Sequence, residues 1–388
     1  MINRRRIMFV FGTRPEAIKL ATVINEVEKY PDVLEPVIVV TGQHREMLDQ
    51  VLRLFDIDPD YDLGIMEENQ SITSIVTKSL QGLEEVMLRE KPDMVLVQGD
   101  TSTTFAAGLA AFYYRIPLGH VEAGLRTFDK WRPYPEEMNR KLTTDLADLH
   151  FAPTQTSVKN LLEEKVPRER IFLTGNTVID ALLSTSRRNF DLGKFGIKLN
   201  KSRKLILVTA HRRESFGAPL RNICSAVKRL AEKFRGEIEF VIPVHKNPIV
   251  RNVMNEFLEA VDSVELIEPL DYEAFVHLMK AAYIILTDSG GVQEEAPSLG
   301  KPVLVLREKT ERPEAVTAGA VKLVGMDEKV IFEAANLLLT DASAYEKMSR
   351  AVNPYGDGHA SERMVEVILH YFGALDRKPG EFNAQVSG

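Results

Sequence analysis

The chain has 388 residues, of which 44% are hydrophobic and 27% are charged, and its net charge is −7 at pH 7. This length predicts two or three domains, and the apolar content is sufficient for a sizeable core in each. The acidic balance argues against a nucleic-acid-binding protein, whose domains usually carry a basic surface, although a few arginines can still bind a small anion locally.

The single cysteine, Cys224, makes an internal disulfide impossible, and its helical surroundings favour a small core residue. The N-terminal stretch has a short apolar run that Arg14 and Glu16 interrupt, which is too short for a secretion signal. No segment approaches the length of a membrane span. We therefore expect a cytoplasmic protein that does not contact a membrane.

Short β-branched runs alternate with longer helical patterns through the first half of the chain. Helices are predicted at "SITSIVTKSLQGLEEVMLREK", at "TSTTFAAGLAAFYYR" and around residues 178–188. Near-continuous apolar runs, typical of buried parallel strands, occur at "IMFVFG", "PVIVVTG", "DMVLVQGD", "IPLGHVEAG", "DLHFAPT" and "RIFLTGN". We assign residues 1–188 to an N-terminal Rossmann-like domain.

A polar stretch at residues 189–203 is interpreted as a linker, after which the alternation restarts. Residues 204–358 form the second predicted domain, with strands at "KLILVTAH", "EIEFVIPVH", "SVELIEPL", "YIILTDSGG" and "KPVLVLR". Residues 359–388 are predicted to form a helix that crosses back to the first domain, followed by a tail. Repeated βα units predict an α/β fold with two doubly wound Rossmann-like domains facing a central cleft.

In open α/β sheets, ligands bind beyond the carboxyl ends of the strands, and polar residues collect at those positions here. "FGTRPEAIK" places Arg14 and Lys19 at the start of a helix, where cations oppose the helix dipole unless an anion lies beside them. We interpret both as phosphate ligands; the alternative is that both are simply solvated.

Three carboxylates follow predicted strands or begin a helix, namely Asp100, Glu122 and Glu136. Asp100 alone could serve as a helix cap. Three carboxylates converging on one cleft exceed what capping requires, so they predict groups for acid/base catalysis.

The second half offers its own candidate site. His211 follows a strand beside two arginines, which suits a ligand that carries phosphate, although a surface histidine is the alternative. In "LTDSGGVQEEAPSLGKPVLVL", residues 286–306, Gly290 and Gly291 either form a tight turn or let phosphates reach backbone N–H groups. No dinucleotide fingerprint and no paired metal-ligand spacing occur, so neither a nicotinamide cofactor nor a metal is predicted.

Together, "FGTRPEAIK", "TGQHREMLDQVL", "GDTSTT", "GHVEAGLRT", "HRRESFG", "DSGGVQEEAPSLGKPVL" and "TERPEA" resemble the non-hydrolysing UDP-N-acetylglucosamine 2-epimerases from about residue 6 to residue 372. The resemblance implies a glycosyltransferase-B type fold, a homodimer, no cofactor, and interconversion of UDP-N-acetylglucosamine with UDP-N-acetylmannosamine, which would supply activated N-acetylmannosamine for cell-surface polysaccharide synthesis. It implies catalytic roles for Asp100, Glu122, Glu136 and His211, and substrate or UDP contacts for Arg14, Lys19, Phe275, Ser289, Gly290, Gly291, Glu295 and Arg312.

The chemistry of carbon-2 favours elimination of UDP to 2-acetamidoglucal followed by re-addition, because loss of UDP from carbon-1 acidifies the neighbouring proton. The alternatives are a hydrolysing epimerase that releases UDP and free N-acetylmannosamine, a glycosyltransferase on the same architecture, and a non-catalytic sensor of nucleotide sugars. The resemblance further suggests activation by the substrate at a second site, for which the candidates are Gln43, Gln70, Arg212 and His245.

Overall fold

The structure is a computed structural model that describes residues 4–383 except 43, 44, 66, 68 and 69; the side chains of residues 45–47 and 213 are also left undescribed. Contacts divide the chain into two compact units. The N-terminal unit contains the residues up to Ala181 together with Tyr355–Asn383, and the C-terminal unit contains Leu182–Pro354.

The strands run in chain order as follows: β1 Arg5–Phe11, β2 Leu34–Val40, β3 Tyr61–Asp62, β4 Met94–Gln98, β5 Leu118–Val121, β6 Leu149–Ala152, β7 Ile171–Leu173, β8 Lys204–Thr209, β9 Ile238–Pro243, β10 Val264–Ile267, β11 Ile284–Thr287, β12 Val303–Val305 and β13 Val321–Leu323.

The α-helices are α1 Arg14–Val27, α2 Arg45–Leu54, α3 Ile72–Glu90, α4 Ser102–Tyr113, α5 Glu136–Leu146, α6 Gln155–Glu163, α7 Thr177–Ser186, α8 Ala218–Lys233, α9 Pro248–Leu258, α10 Tyr272–Ala281, α11 Gly290–Glu295, α12 Pro313–Thr317, α13 Glu328–Thr340, α14 Ala342–Ser349 and α15 Ala360–Tyr371. Short 3-10 turns occur at Arg168–Arg170, Leu192–Phe195, Arg213–Ser215 and Ala296–Leu299.

The N-terminal unit is built on a parallel sheet with the strand order β3-β2-β1-β4-β5-β6-β7. Residues 7–11 of its central strand are fully buried, as expected for a strand covered by helices on both faces. Ser71, Thr101 and Thr154 begin α3, α4 and α6, and each side-chain oxygen accepts a backbone N–H in the first turn.

The C-terminal helix α15 completes the N-terminal unit. It packs on α1, where the hydroxyls of Ser361 and Thr22 lie 2.9 Å apart. The carboxylate of Asp180 accepts the backbone N–H groups of Ala360 and Ser361 at 3.2 and 2.8 Å, so it caps the start of this helix.

The C-terminal unit contains a second parallel sheet, with the strand order β10-β9-β8-β11-β12-β13. Its core packs the buried face of α8 and α13 against the central strands. In each sheet the strand order reverses beside the first strand, which is the hallmark of a doubly wound fold, so the predicted α/β class with two Rossmann-like domains is confirmed. No helix in the described part of the chain is both long and apolar enough to cross a membrane.

Candidate active site

Several predicted site residues lie at the topological switch point of each sheet, which is the ligand-binding position of doubly wound folds. In the N-terminal unit the switch lies between β1 and β4, and the chain leaves these strands toward Arg14 and Asp100. In the C-terminal unit it lies between β8 and β11, which lead to His211 and to the turn that begins at Asp288.

Glu122 directly follows β5 and has a left-handed backbone with φ of 65°. This conformation is costly for a residue that is not glycine, and such strain clusters at functional sites. The Nζ of Lys19 lies 2.5 Å from the Glu122 carboxylate, and the amides of Gln98 and Asn176 also donate to it. The structure therefore brings two predicted site residues, Lys19 and Glu122, into direct contact in a mostly buried setting.

Asp100 follows β4 and forms an ion pair that the sequence analysis did not foresee. The Nε and Nη2 atoms of Arg140 approach its Oδ2 at 2.8 and 2.7 Å, and the Asn139 side chain donates to its backbone carbonyl at 2.9 Å. Gly99 directly precedes Asp100 and lies close to the Glu122 carboxylate. A Cβ built on Gly99 would be 3.7 Å from Oε2 of Glu122. Asp100 and Glu122 thus occupy neighbouring positions at the sheet edge.

The two adjacent glutamates at the start of α5 have different environments. Glu137 is buried and accepts the backbone N–H groups of Thr127 and Phe128 at 3.0 to 3.1 Å, so it fixes the preceding loop. The Oε2 atom of Glu136 is buried but has no hydrogen-bond partner among the described residues. Glu136 begins the same helix that carries Arg140. Among Asp100, Glu122 and Glu136, it is the carboxylate for which the described residues leave a buried oxygen without a donor.

The start of α1 holds a residue that the sequence analysis overlooked. Glu16 is 2% exposed, and its Oε2 accepts the backbone N–H groups of Gly12 and Thr13 at 3.0 and 2.7 Å. Its Oε1 accepts the hydroxyls of Thr101 and Thr104, at 2.5 and 3.1 Å. Burial raises the pKa of Glu16, and these hydrogen bonds oppose the shift.

Glu16 changes how an anion can bind at this turn. Its carboxylate already occupies the N–H groups of Gly12 and Thr13, so a phosphate here would have to contact the side chain of Arg14. The motif that reveals Glu16 is present in the sequence: threonine followed three residues later by glutamate is a capping box.

In the C-terminal unit, a fully buried carboxylate holds the turn after β8. Asp288 is 0% exposed, and its Oδ2 accepts the backbone N–H groups of His211 and Arg212 at 2.7 and 2.8 Å and the Ser215 hydroxyl at 3.0 Å. Burial lowers the pKa of His211, and the charge of Asp288 acts in the opposite direction. The imidazole is therefore held toward its neutral form.

Gly290 and Gly291 lie in the first turn of α11, and neither needs a left-handed backbone. A Cβ on Gly290 would approach the guanidinium carbon of Arg312 to 2.8 Å, whereas a Cβ on Gly291 would meet only Glu295 Oε2, at 3.9 Å. The Nε of Arg312 lies 2.7 Å from Glu294, which fixes the guanidinium over the turn. Gly290 thus makes room for Arg312, and Gly291 leaves an exposed stretch of backbone.

Glu295 is buried one turn into α11, where the Tyr272 hydroxyl donates to its Oε1 at 3.1 Å. Burial and the neighbouring carboxylate raise the pKa of Tyr272 well above its usual range, so this hydroxyl stays a donor. Phe275 lies one turn after Tyr272 on α10 and is partly buried. Ser289 is the N-cap residue of α11.

The candidates for a second site are less well grouped. Gln43 lies outside the described residues. Gln70 belongs to the N-terminal unit, and its side-chain carbonyl is buried without a hydrogen-bond partner among the described residues. Arg212 and His245 belong to the C-terminal unit beside His211, and the rings of His245 and His211 stack with centroids 5.8 Å apart.

Comparison with known proteins agrees with this architecture. The sequence profile of the family described as UDP-N-acetylglucosamine 2-epimerase matches residues 25–369. The UDP-N-acetylglucosamine 2-epimerase of Bacillus subtilis is 51% identical over 387 residues, which is 99% of this chain and 100% of that protein.

Two solved structures are similar as well. The Neisseria meningitidis UDP-GlcNAc 2-epimerase, solved with UDP-GlcNAc bound, has 51% identity and a TM-score of 0.83, and the match covers 94% of this chain and all of that one. A glycotransferase of kitacinnamycin shares the fold alone, with 11% identity and a TM-score of 0.65 over 95% of this chain and 100% of that one. The predicted glycosyltransferase-B type of fold is therefore confirmed.

Proposed function

Since the chain belongs to the UDP-N-acetylglucosamine 2-epimerase family, we propose that it interconverts UDP-N-acetylglucosamine and UDP-N-acetylmannosamine without hydrolysing either. The observation that carries this proposal is the strained Glu122, paired with Lys19 beside the Asp100–Arg140 pair at the switch point of the first sheet. Binding alone would not need these carboxylates, whereas removing a proton from carbon-2 and returning one requires acid/base groups of this kind.

The reaction begins when the bond between carbon-1 of the sugar and the diphosphate oxygen breaks and the electron pair leaves with UDP. The positive charge that develops at carbon-1 acidifies the proton on carbon-2, and a carboxylate removes that proton to give 2-acetamidoglucal. UDP then adds back to carbon-1 while a proton returns to carbon-2 on the opposite face. Atoms and electrons balance without an external oxidant.

Glu136 is the carboxylate best suited to accept the carbon-2 proton, because its buried Oε2 has no hydrogen-bond partner among the described residues. Glu122 and Asp100 are each paired with a cation, Lys19 and Arg140 respectively. One of them, as a carboxylate, suits stabilisation of positive charge on the sugar, and the other, as a protonated acid, suits delivery of the second proton.

For the C-terminal unit, we propose that the α11 turn binds UDP. Ser289, Gly290 and Gly291 present backbone at a helix start, and the guanidinium of Arg312 lies over it. Glu295, held by Tyr272, suits the ribose hydroxyls, and Phe275 suits a contact with the nucleoside. His211 would contact the sugar or the diphosphate.

We also propose a homodimer. Adjacent aromatic side chains at the end of α4, Phe112 and Tyr113, are 61% and 66% exposed, and together they offer a partner subunit an apolar surface. The proposed activation by UDP-N-acetylglucosamine at a second site rests on the family resemblance. A lag from UDP-N-acetylmannosamine alone, abolished by a trace of UDP-N-acetylglucosamine, would support it, and a linear start would contradict it.

The reaction itself is tested by incubating the pure protein with UDP-N-acetylglucosamine in D₂O and following the sugar by proton NMR. We expect UDP-N-acetylmannosamine to accumulate to an equilibrium, with deuterium at carbon-2. Accumulating UDP and free N-acetylmannosamine would indicate a hydrolysing epimerase, and turnover only with an added acceptor would indicate a glycosyltransferase. Retention of the original hydrogen in every turnover would exclude the elimination route.

Two neighbouring variants separate catalysis from folding. Glu136→Gln should lower the rate by roughly 10²–10⁴-fold while the protein keeps its stability, because it removes a proton acceptor. Glu137→Gln should mainly lower stability, because Glu137 holds the loop at Thr127 and Phe128 and also pairs with Arg140, so its kinetic defect should be smaller than that of Glu136→Gln. Equal kinetic defects at equal stability would remove Glu136 from its proposed role.

A further inference from the structure

Asp288 has one carboxylate oxygen that its structural role leaves unused. Its Oδ2 accepts all three donors that hold the turn after β8. Its Oδ1 is buried, and it has no hydrogen-bond partner among the described residues. The Nδ1 atom of His211 lies 3.2 Å from this oxygen, and a small rotation of that ring would complete a hydrogen bond.

A carboxylate that faces an imidazole nitrogen selects one tautomer of the ring. It can only accept a hydrogen bond, so the facing nitrogen, Nδ1 of His211, must carry the hydrogen. The other nitrogen, Nε2, then presents a lone pair away from Asp288. In serine proteases, a buried aspartate controls the tautomer of the catalytic histidine in the same way.

The neighbouring His245 has the opposite tautomer. The backbone N–H of Asn247 donates to its Nδ1 at 3.1 Å, so Nδ1 carries the lone pair and Nε2 carries the hydrogen. The rings of His245 and His211 stack with an interplanar angle of 18°. The two stacked histidines thus differ in the tautomer that their surroundings favour, because a carboxylate faces Nδ1 of His211 and a backbone N–H faces Nδ1 of His245.

We propose that Asp288 is a positioning residue that fixes His211 as the Nδ1–H tautomer and so directs the Nε2 lone pair toward the bound nucleotide sugar. The inference rests on the proposed function, in which His211 contacts the substrate. Asp288 directly precedes Ser289 and the glycines of α11, so the carboxylate that orients His211 also joins β8 to the proposed UDP turn.

The test is Asp288→Asn. The amide oxygen can still accept from the backbone of the β8 turn, but the amide nitrogen would now donate to His211 Nδ1 and reverse the tautomer. We expect kcat to fall by at least about 100-fold, as for a misplaced acid/base group. The KM for UDP-N-acetylglucosamine and the affinity for UDP should change less than threefold, on the order of 0.6 kcal/mol or less.

Two controls distinguish positioning from a general loss of structure. In a His211→Gln background, Asp288→Asn should have no further effect on kcat, because the ring that it orients is gone. Asp180→Asn also removes a buried carboxylate that holds backbone N–H groups, but the groups that it holds lie at the start of α15. It should lower stability and leave kcat intact.

A direct readout needs no turnover. In protein labelled with ¹⁵N-histidine, His211 should give the Nδ1–H pattern in the wild type and the Nε2–H pattern in Asp288→Asn. His245 should give Nε2–H in both and serves as an internal reference. An Nε2–H pattern for wild-type His211, or full kcat in Asp288→Asn, would overturn the proposal. The expected tautomers in a protein that does not epimerise would instead refute the proposed function alone.

Discussion

Replacing Gly290 by alanine should weaken UDP binding without unfolding the protein. The added Cβ would lie 2.8 Å from Cζ, 2.9 Å from Nη1 and 3.2 Å from Nε of Arg312. Because ordinary contacts begin at about 3.4 Å, the guanidinium must move by roughly half an ångström, which disturbs its 2.7 Å contact with Glu294. A displaced charged hydrogen bond costs about 1.5–3 kcal/mol, which corresponds to roughly 10- to 150-fold weaker UDP binding.

The matched control is Gly291→Ala, since its Cβ would meet only Glu295 Oε2, at an ordinary 3.9 Å. Alanine is a better helix former than glycine, so this variant should be unchanged or slightly more stable, by up to about 1 kcal/mol. Its UDP affinity reports on the ligand itself. A loss would mean that a phosphate lies against this backbone, and no loss would mean that Arg312 carries the diphosphate contact.

Titration calorimetry with UDP on both variants, and on each combined with Arg312→Ala, completes the measurement. In the Arg312→Ala background, Gly290→Ala should add nothing, because the group that it displaces is absent. Wild-type affinity for Gly290→Ala would refute the reasoning. So would an equal loss in both backgrounds, since the effect would then not pass through Arg312.

Four other perturbations test further features of the structure. Glu122→Gln should slow epimerisation by roughly 10²–10⁴-fold at unchanged UDP affinity. Lys19→Met removes the cation paired with the buried Glu122, so it should lower the free energy of unfolding by about 3 kcal/mol in denaturant titrations. Most of this loss should be recovered when Lys19→Met is combined with Glu122→Gln. Burial raises the pKa of Asp180 from 3.8 to about 6, so the folded state binds this proton more tightly than the unfolded state does. The free energy of unfolding should therefore fall by up to about 3 kcal/mol as the pH rises from about 4 to about 6. Asp180→Asn should lack this pH dependence. Replacing Phe112 and Tyr113 by serine should yield monomers in light scattering, and persistent dimers would place the interface elsewhere.

Hydrophobic periodicity predicted the elements that are buried and long. Near-continuous apolar runs give the central strands, and the predicted helix after Ser71 matches α3 because a cap, an apolar stripe and a length of 19 residues agree. The strand β3 was not predicted. It is an edge strand in which two residues, Tyr61 and Asp62, pair with β2, and two residues are too few to show an alternation of apolar and polar side chains.

The sequence predicts positions for the proposed site residues where the carboxyl end of a strand locates them. Partners from distant segments were not predictable: Arg140 reaches Asp100 from 40 positions away, and Asp288 faces His211 across 77. No local pattern encodes such pairs, because the folded sheet creates them. Gly290 shows a different limit, since the sequence indicated a need for space but not that the space is occupied by Arg312.

The return of the chain from Pro354 into the N-terminal unit has a consequence for biosynthesis. A ribosome makes the seven strands of the first sheet early but reaches Tyr355 only after the entire C-terminal unit has been synthesised. Until then α1 lacks its contact with α15, and the Asp180 carboxylate lacks the two N–H groups that it caps. The N-terminal unit begins first but is completed only after the C-terminal unit has been made, so the half of the protein with the three carboxylates matures after the other half has been synthesised.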